Sequence, residues 1–184
     1  VILKADINYS YASVNPPNIE IRTDPFDKDL VQVIEKLPGV EDVEGRRVIQ
    51  IRARRGDTLT GTRENWQGLS LVGVTDFSGN INHLSPIEGT QFAGENETVI
   101  SQNMMHTTGY HVGDTIEIEF PDGLNHYLTV VGLVTDQTTS KPDPGSTNNI
   151  YISLKTLRSF GQDDYFNRLY VTVPGDGSSH AIIS

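Results

Sequence analysis

Residues 97–135 read ETVISQNMMHTTGYHVGDTIEIEFPDGLNHYLTVVGLVT: a strand, a short helix, a tight turn, then a strand, a hairpin and a returning strand. Val99 and Ile100 form an apolar run just after an acidic, Gly-containing loop. Asn103 to Thr108 predicts a short helix that Gly109 ends, because glycine adopts the left-handed C-cap conformation without a Cβ penalty. Val112-Gly113-Asp114 is a tight turn set by Gly113-Asp114. It feeds Thr115 to Phe120, where apolar and polar residues alternate as in a half-buried strand. Pro121-Asp122-Gly123 is a strong turn signal, since proline presets one dihedral and glycine permits a positive φ. Leu128 to Val134 returns as a mostly apolar strand. No side chain here is reactive in any evident way. The stretch reads as architecture.

Working outward toward the N-terminus, Trp66 to Val74 is a strand with the sole tryptophan near its start. As the simpler reading, that tryptophan is an aromatic lid on a small core rather than a ligand platform. Between this strand and residue 97, Asp76 to Glu95 is irregular, with turns at Ser78-Gly79-Asn80, Ser85-Pro86 and Glu88-Gly89. Residues 56–65 form a polar, Gly-containing hairpin or loop. Val40 to Ala53 is another strand, strongest at Val48-Ile49-Gln50-Ile51. On its flank lie Arg46, Arg47, Arg52, Arg54 and Arg55, the only basic cluster, best read as an exposed strand face and edge protected by charge. Thr23-Asp24-Pro25 predicts a helix start, with Asp27 and Asp29 favoured by the macrodipole in the first turn. Leu30, Val33, Ile34 and Leu37 then follow the i, i+3, i+4, i+7 spacing of one buried helix face, and Pro38-Gly39 ends the helix. Ala5 to Tyr11 alternates as a strand. Asn15-Pro16-Pro17 breaks it, and Ile19 and Ile21 continue it briefly.

Toward the C-terminus, residues 137–149 are a Pro/Gly/Ser-rich loop. Ile150-Tyr151-Ile152 is a strand, Leu154 to Phe160 a short helix, and Arg168 to Val173 a strand ending at Pro174-Gly175. The order predicts an α+β fold, with β-α-β at each end of the chain and a smaller mixed α/β lobe inserted between. The start at Val1 and the stop at Ala181-Ile182-Ile183-Ser184 suggest a segment of a longer protein.

Composition excludes several function classes. A net charge of −10 over 184 residues opposes nucleic-acid binding, which needs a basic footprint, and adhesion to anionic membranes. The absence of cysteine removes disulfides, thiolate metal sites and a cysteine nucleophile together. No apolar run is long enough to span a bilayer. No Gly-x-Ser-x-Gly elbow occurs, and there is no phosphate loop or dinucleotide fingerprint. His106 and His111 are five apart with Gly109 between them, so they do not share a helix face as an i, i+4 zinc pair would. His83, His126 and His180 are scattered and read as surface histidines. Met104-Met105 reads as core filling. With 24 acidic residues, paired carboxylates arise by chance. The residues present no catalytic, cofactor-binding or metal site.

Leu37-Pro38-Gly39-Val40, a helix end meeting a strand, resembles the "PGV" segment of MacB-type ABC-transporter permeases. The resemblance continues in Leu71-Val72-Gly73-Val74, Gly89-Thr90-Gln91-Phe92 and Glu97-Thr98-Val99-Ile100-Ser101. It is strongest in Val112-Gly113-Asp114-Thr115-Ile116 with Leu128-Thr129-Val130-Val131-Gly132-Leu133-Val134. Ile150-Tyr151-Ile152-Ser153-Leu154 and Leu169-Tyr170-Val171-Thr172-Val173 complete an ordered set over most of the chain. What this MacB/FtsX-like resemblance implies is an extracytoplasmic core domain between the first two membrane helices of a permease. Its fold would be a porter-like β-α-β lobe, residues 1–68 and 138–184, with a smaller lobe, 69–137, inserted. The helix and strand expected after Pro174 only begin at Ala181-Ile182-Ile183, so the C-terminal part is incomplete. The implied partners are a cytoplasmic ABC ATPase subunit or domain and a second permease copy, as a homodimer or pair. Tripartite export would add a periplasmic adaptor and an outer-membrane channel. Such a domain is not an enzyme: it relays motion mechanically. Two other readings stand beside it, a free-standing extracellular binding module using the 137–149 loop or the lobe interface, and an acid/base hydrolase.

Overall fold

The computed structural model describes residue 17 and residues 19–56, 66–136 and 148–174. The expected strand at Ala5 to Tyr11 and most of the 56–65 and 137–149 loops lie outside the described residues. Among the described residues nine strands and three helices follow one another: β1 (Ile19–Phe26), α1 (Lys28–Glu35), β2 (Asp42–Arg55), β3 (Gln67–Val74), β4 (Ser85–Gly89), β5 (Glu97–Ser101), α2 (Gln102–Thr108), β6 (Thr115–Glu119), β7 (Asn125–Thr135), β8 (Asn149–Ser153), α3 (Leu154–Ser159) and β9 (Phe166–Thr172). The mixed α+β class is the one expected.

Two strands organise everything else. β2, at 14 residues, pairs through residues 42–46 with β9 and through 47–53 with β3, and its last four residues pair with β6. β7, at 11 residues, pairs with β6, β5 and β4. Since β3 also pairs with β8, and β8 with β5, strands β2, β3, β8, β5, β7 and β6 close on themselves. Closure removes the unpaired edges that an open sheet must protect. The ring is filled by Ile51, Leu71, Ile100, Ile118, Val130 and Ile152, all at most 4% exposed, among others. A small antiparallel sheet, order β1-β9-β2, continues from the first half of β2. β8, assigned by the sequence to the porter-like lobe, is bonded within the ring.

Strand parity sorts the side chains. Along β2 the odd positions Ile49, Ile51 and Ala53 face the ring interior, and Val48 packs in a second cluster outside it with Val72, Val99 and Tyr151. Segment 76–93 covers that second cluster with Phe77, Leu84 and Ala93. In β7 the register shifts by one residue opposite Thr98 and Val99. This bulge lets Val130 and Leu133 both face the main core while Val134 joins the second cluster.

The opening stretch folds as its punctuation predicts. Ser101 caps α2 by accepting from the Met104 N–H, and Gly109 closes it at φ 70°. Gly113, at φ 96°, donates to the Val130 carbonyl at 2.8 Å, while Val130 donates to the Asp114 carbonyl at 2.9 Å. Met104 is fully buried, as core filling requires.

Four local expectations are corrected. Thr23-Asp24-Pro25 does not begin the helix: it lies in β1 at a register shift between Arg22 and Phe26, where proline has no N–H to give. The cap is Asp27, whose carboxylate accepts from the Asp29 and Leu30 N–H groups. The face predicted from Leu30, Val33, Ile34 and Leu37 is not buried. Leu30, Val33 and Leu37 are exposed, and Val31 with Ile34 is the better covered pair, because α1 lies chiefly against β2 alone. Ser85-Pro86 lies in a strand, β4, with its irregularity between Pro86 and Glu88. Trp66 is no lid on the core: the Arg54 and Arg52 guanidinium carbons sit 4.6 and 5.6 Å from its ring.

Candidate functional site

The strand expected to carry an exposed basic edge is an interior strand, and its arginines have separate tasks. Arg52 and Arg54 pair with Glu119 and Glu117 on neighbouring β6, and Arg55 reaches Asp114 and the Gly109 carbonyl. Arg46 differs from these. It is 6% exposed and donates Nε and Nη2 to the two Glu44 oxygens at 2.7 and 3.1 Å, and Nη2 also to the Ile81 carbonyl at 2.9 Å. Its guanidinium lies 5.4 Å from the Tyr170 ring centre. Burial works against the charge, but Glu44 more than offsets it and holds the pKa above the ordinary arginine value.

Arg46 marks where β2 leaves the small sheet for the ring. Just beyond it, the Asn167 side chain takes the place of a neighbouring strand: its Oδ1 accepts from Val48 N–H at 2.8 Å and its Nδ2 donates to the Val48 carbonyl at 2.9 Å. The backbone of β2 thus keeps partners on that flank between its β9 and β6 segments. An unpaired strand group would be costly at this half-buried point.

Beside the junction is a cleft of about 270 Å³, bounded by Glu20, Arg22, Arg168 and Tyr170 on one side and by Gln50, Ser70, Asn82 and Asn149 on the other. Burial is the main cause that raises the Tyr170 hydroxyl pKa to about 12, with Glu20 adding to it. Behind the cleft, Tyr151 donates to the Asp136 carboxylate and accepts from Asn149 Nδ2 at 3.3 Å. Burial and then Asp136 push the Tyr151 pKa well up. His126 is not an ordinary surface histidine. Its ring stacks on Phe160 at 4.0 Å, and burial lowers its pKa despite nearby Asp122. His83 and His106 to His111 converge on nothing: among the described residues, no group of three or more His, Asp or Glu side chains could hold a metal ion.

The sequence itself matches the MacB-like periplasmic core domain over residues 4–183. The chain belongs to that family. Two solved MacB-like folds are similar to it. One is the extracellular domain of the noncanonic ABC-type transporter YknZ from Gram-positive bacteria (TM-score 0.57, 15% identity, 85% of this chain and 83% of that one). The other is the periplasmic region of MacB from Actinobacillus actinomycetemcomitans (TM-score 0.55, 12% identity, 85% and 74% covered). None of the curated proteins matches the sequence. Among the described residues, no helix is long and apolar enough to cross a membrane.

Within this MacB-like domain, sequence reasoning singled out Arg46 only as one of five arginines. It gave Asn167 and Asn82 no role and took Tyr151 only as part of a strand and of the family pattern. Asparagine in a strand is a weak hint, since its amide can replace backbone partners, but nothing local says which strand it will clasp.

Proposed function

We propose that this chain is the extracytoplasmic part of a MacB-like permease, non-catalytic, and that it couples ATP-driven motion of a membrane dimer to export or to partners outside the membrane. The observation that carries the coupling role is β2: one strand serves both the small sheet and the closed ring, and Arg46 and Asn167 tie it at the crossing. A displacement entering through the small sheet would reach the ring through a bonded strand rather than a loose linker. The ATPase subunit or domain, the paired permease and, in tripartite export, the adaptor and outer-membrane channel belong to this proposal.

The test uses the intact permease with its ATPase. A single cysteine at exposed Asp163, placed in a permease whose other cysteines have been replaced, should react in whole cells with a membrane-impermeant maleimide. Loosening the junction with Asn167→Ala should leave basal ATP hydrolysis by the purified complex intact and depress export several-fold. Lack of labelling would sink the location, and unchanged export would sink the coupling role.

A further inference from the structure

Three arginines stand directly opposite one another across the small sheet: Arg22 faces Arg168, and Arg168 faces Arg46. Like charges in opposed positions are unfavourable unless something is set against them. The adjoining row, Glu20, Tyr170 and Glu44, supplies only two carboxylates. Glu44 spends both oxygens on Arg46. Glu20 is left to serve two guanidinium groups through one oxygen, Oε1, 2.9 Å from Arg22 Nε and 3.8 Å from Arg168 Nε. Both of those arginines border the cleft. Arg168 also donates Nη1 to the Asn167 carbonyl at 2.8 Å, but among the described residues Glu20 is the one carboxylate these two arginines share.

The opposite wall has the complementary shortage. Asn82 is 4% exposed and borders the same cleft, yet among the described residues nothing donates to its buried Oδ1. A buried carbonyl of this kind is normally paired. Its neighbours are otherwise engaged: Gln50 Nε2 donates to Ser70 Oγ at 2.7 Å, and Asn149 Nδ2 to the Tyr151 hydroxyl at 3.3 Å. Between the two walls, Val48 and Val72 add apolar surface.

We infer that this cleft binds the carboxylate end of a peptide or an N-acyl amino acid, with Arg22 and Arg168 taking the carboxylate and the Asn82 side-chain amide, rotated to bring its shielded Oδ1 to the cleft, accepting from the adjacent amide N–H. Guanidinium forks match carboxylate geometry, and one terminal residue carries both groups the walls lack. At about 270 Å³ the space is at the small end of ligand sites, suited to a single terminal residue whose side chain meets Val48 and Val72. Glu20 competes with the ligand for both arginines. The site does not depend on the coupling role.

The test is an NMR titration of the chain with N-acetyl-leucine, N-acetyl-leucinamide, which lacks the charge, and 4-methylpentanoate, which lacks the amide N–H. N-acetyl-leucine should shift cleft resonances, including the Asn82 side-chain amide, and bind at least about tenfold more tightly than either analogue, a gap of about 1.4 kcal/mol. The Arg22→Gln/Arg168→Gln double variant should lose this preference, and Glu20→Gln should bind several-fold more tightly than wild type. Glu20→Gln removes a competitor rather than a contact, so a merely structural role would not give that gain. The proposal fails if N-acetyl-leucine causes no cleft shifts up to about 10 mM, well beyond the millimolar range of the weakest specific binding. It fails equally if acid and amide bind alike, or if Glu20→Gln weakens binding.

Discussion

Arg46 is a guanidinium that solvent barely reaches, so the effect of changing it depends on what is left behind. Arg46→Ala strands the Glu44 carboxylate and the Ile81 carbonyl it now satisfies, and should cost about 3 kcal/mol, as for other broken buried pairs. Replacing both partners, as Glu44→Leu/Arg46→Met, removes the unpaired charge and should cost much less. Urea unfolding of the two variants measures the difference, and equal losses would contradict the assignment. At this scale the sequence was legible in part. It showed five arginines on one strand but not the partners of Arg54 and Arg52, because Glu117 and Glu119 lie 63 and 67 residues farther along the chain. Asn82 gave no signal either, since the cleft it borders is assembled from β1, β2, β3, β8 and β9.

Among the elements, the most legible were those fixed by local rules. The α2 cap, the Gly113 turn and the β6–β7 hairpin depend on residues within a few positions of each other, and all three form where expected. β4 was hidden because Ser85-Pro86 and Glu88-Gly89 carry turn chemistry, and only its docking on β7 makes it a strand. That docking is close. Gly132 of β7 comes so near the Thr90 backbone that an added Cβ would lie 1.7 Å from its carbonyl oxygen. Gly132→Ala therefore forces the backbones apart and should cost about 3 kcal/mol, the upper end for overpacking. Gly68→Ala in β3, where an added Cβ meets nothing within 4 Å, should stay within about 0.5 kcal/mol of wild type. Thermal unfolding of the pair decides it: similar melting temperatures would mean that β4 is not held as described. For α1, helical periodicity located the helix but overstated its burial, since periodicity reports an apolar stripe and not what covers it.

For the molecule as a whole, the sequence conveyed the class and the order of elements, but ring closure was beyond it. Closure requires β6 to bond both β2 and β7, and no local pattern specifies a second partner. Global stability should show an alkaline limit set by two shielded phenols, Tyr151 buried and Tyr170 half-buried. Tyr170 titrates near 10 when unfolded and at about 12 in the fold, so the folded state holds its proton longer. Its contribution is fully present below pH 10 and is lost as pH rises through 12. Tyr151, raised by burial and by Asp136, acts in the same direction. Absorbance at the phenolate band, followed together with circular dichroism, should show some of the seven tyrosines ionising only as the chain unfolds. Tyr170→Phe should move that transition to higher pH. An unchanged midpoint would contradict the burial of this phenol.

The long central strand has one further consequence. Hydrogen bonds in an antiparallel pair run across the strand, and β2 carries such bonds along nearly its whole length, to β9 at 42–46, to β3 at 47–53 and to β6 at 52–55. A pull directed along β2 therefore loads many of them sideways at once, in shear, whereas a pull on one end of β1 at right angles to the strand would unzip its bonds to β9 one at a time. The molecule is stiff along one line and peelable along its rim, and a tether attached at either place would feel a different spring.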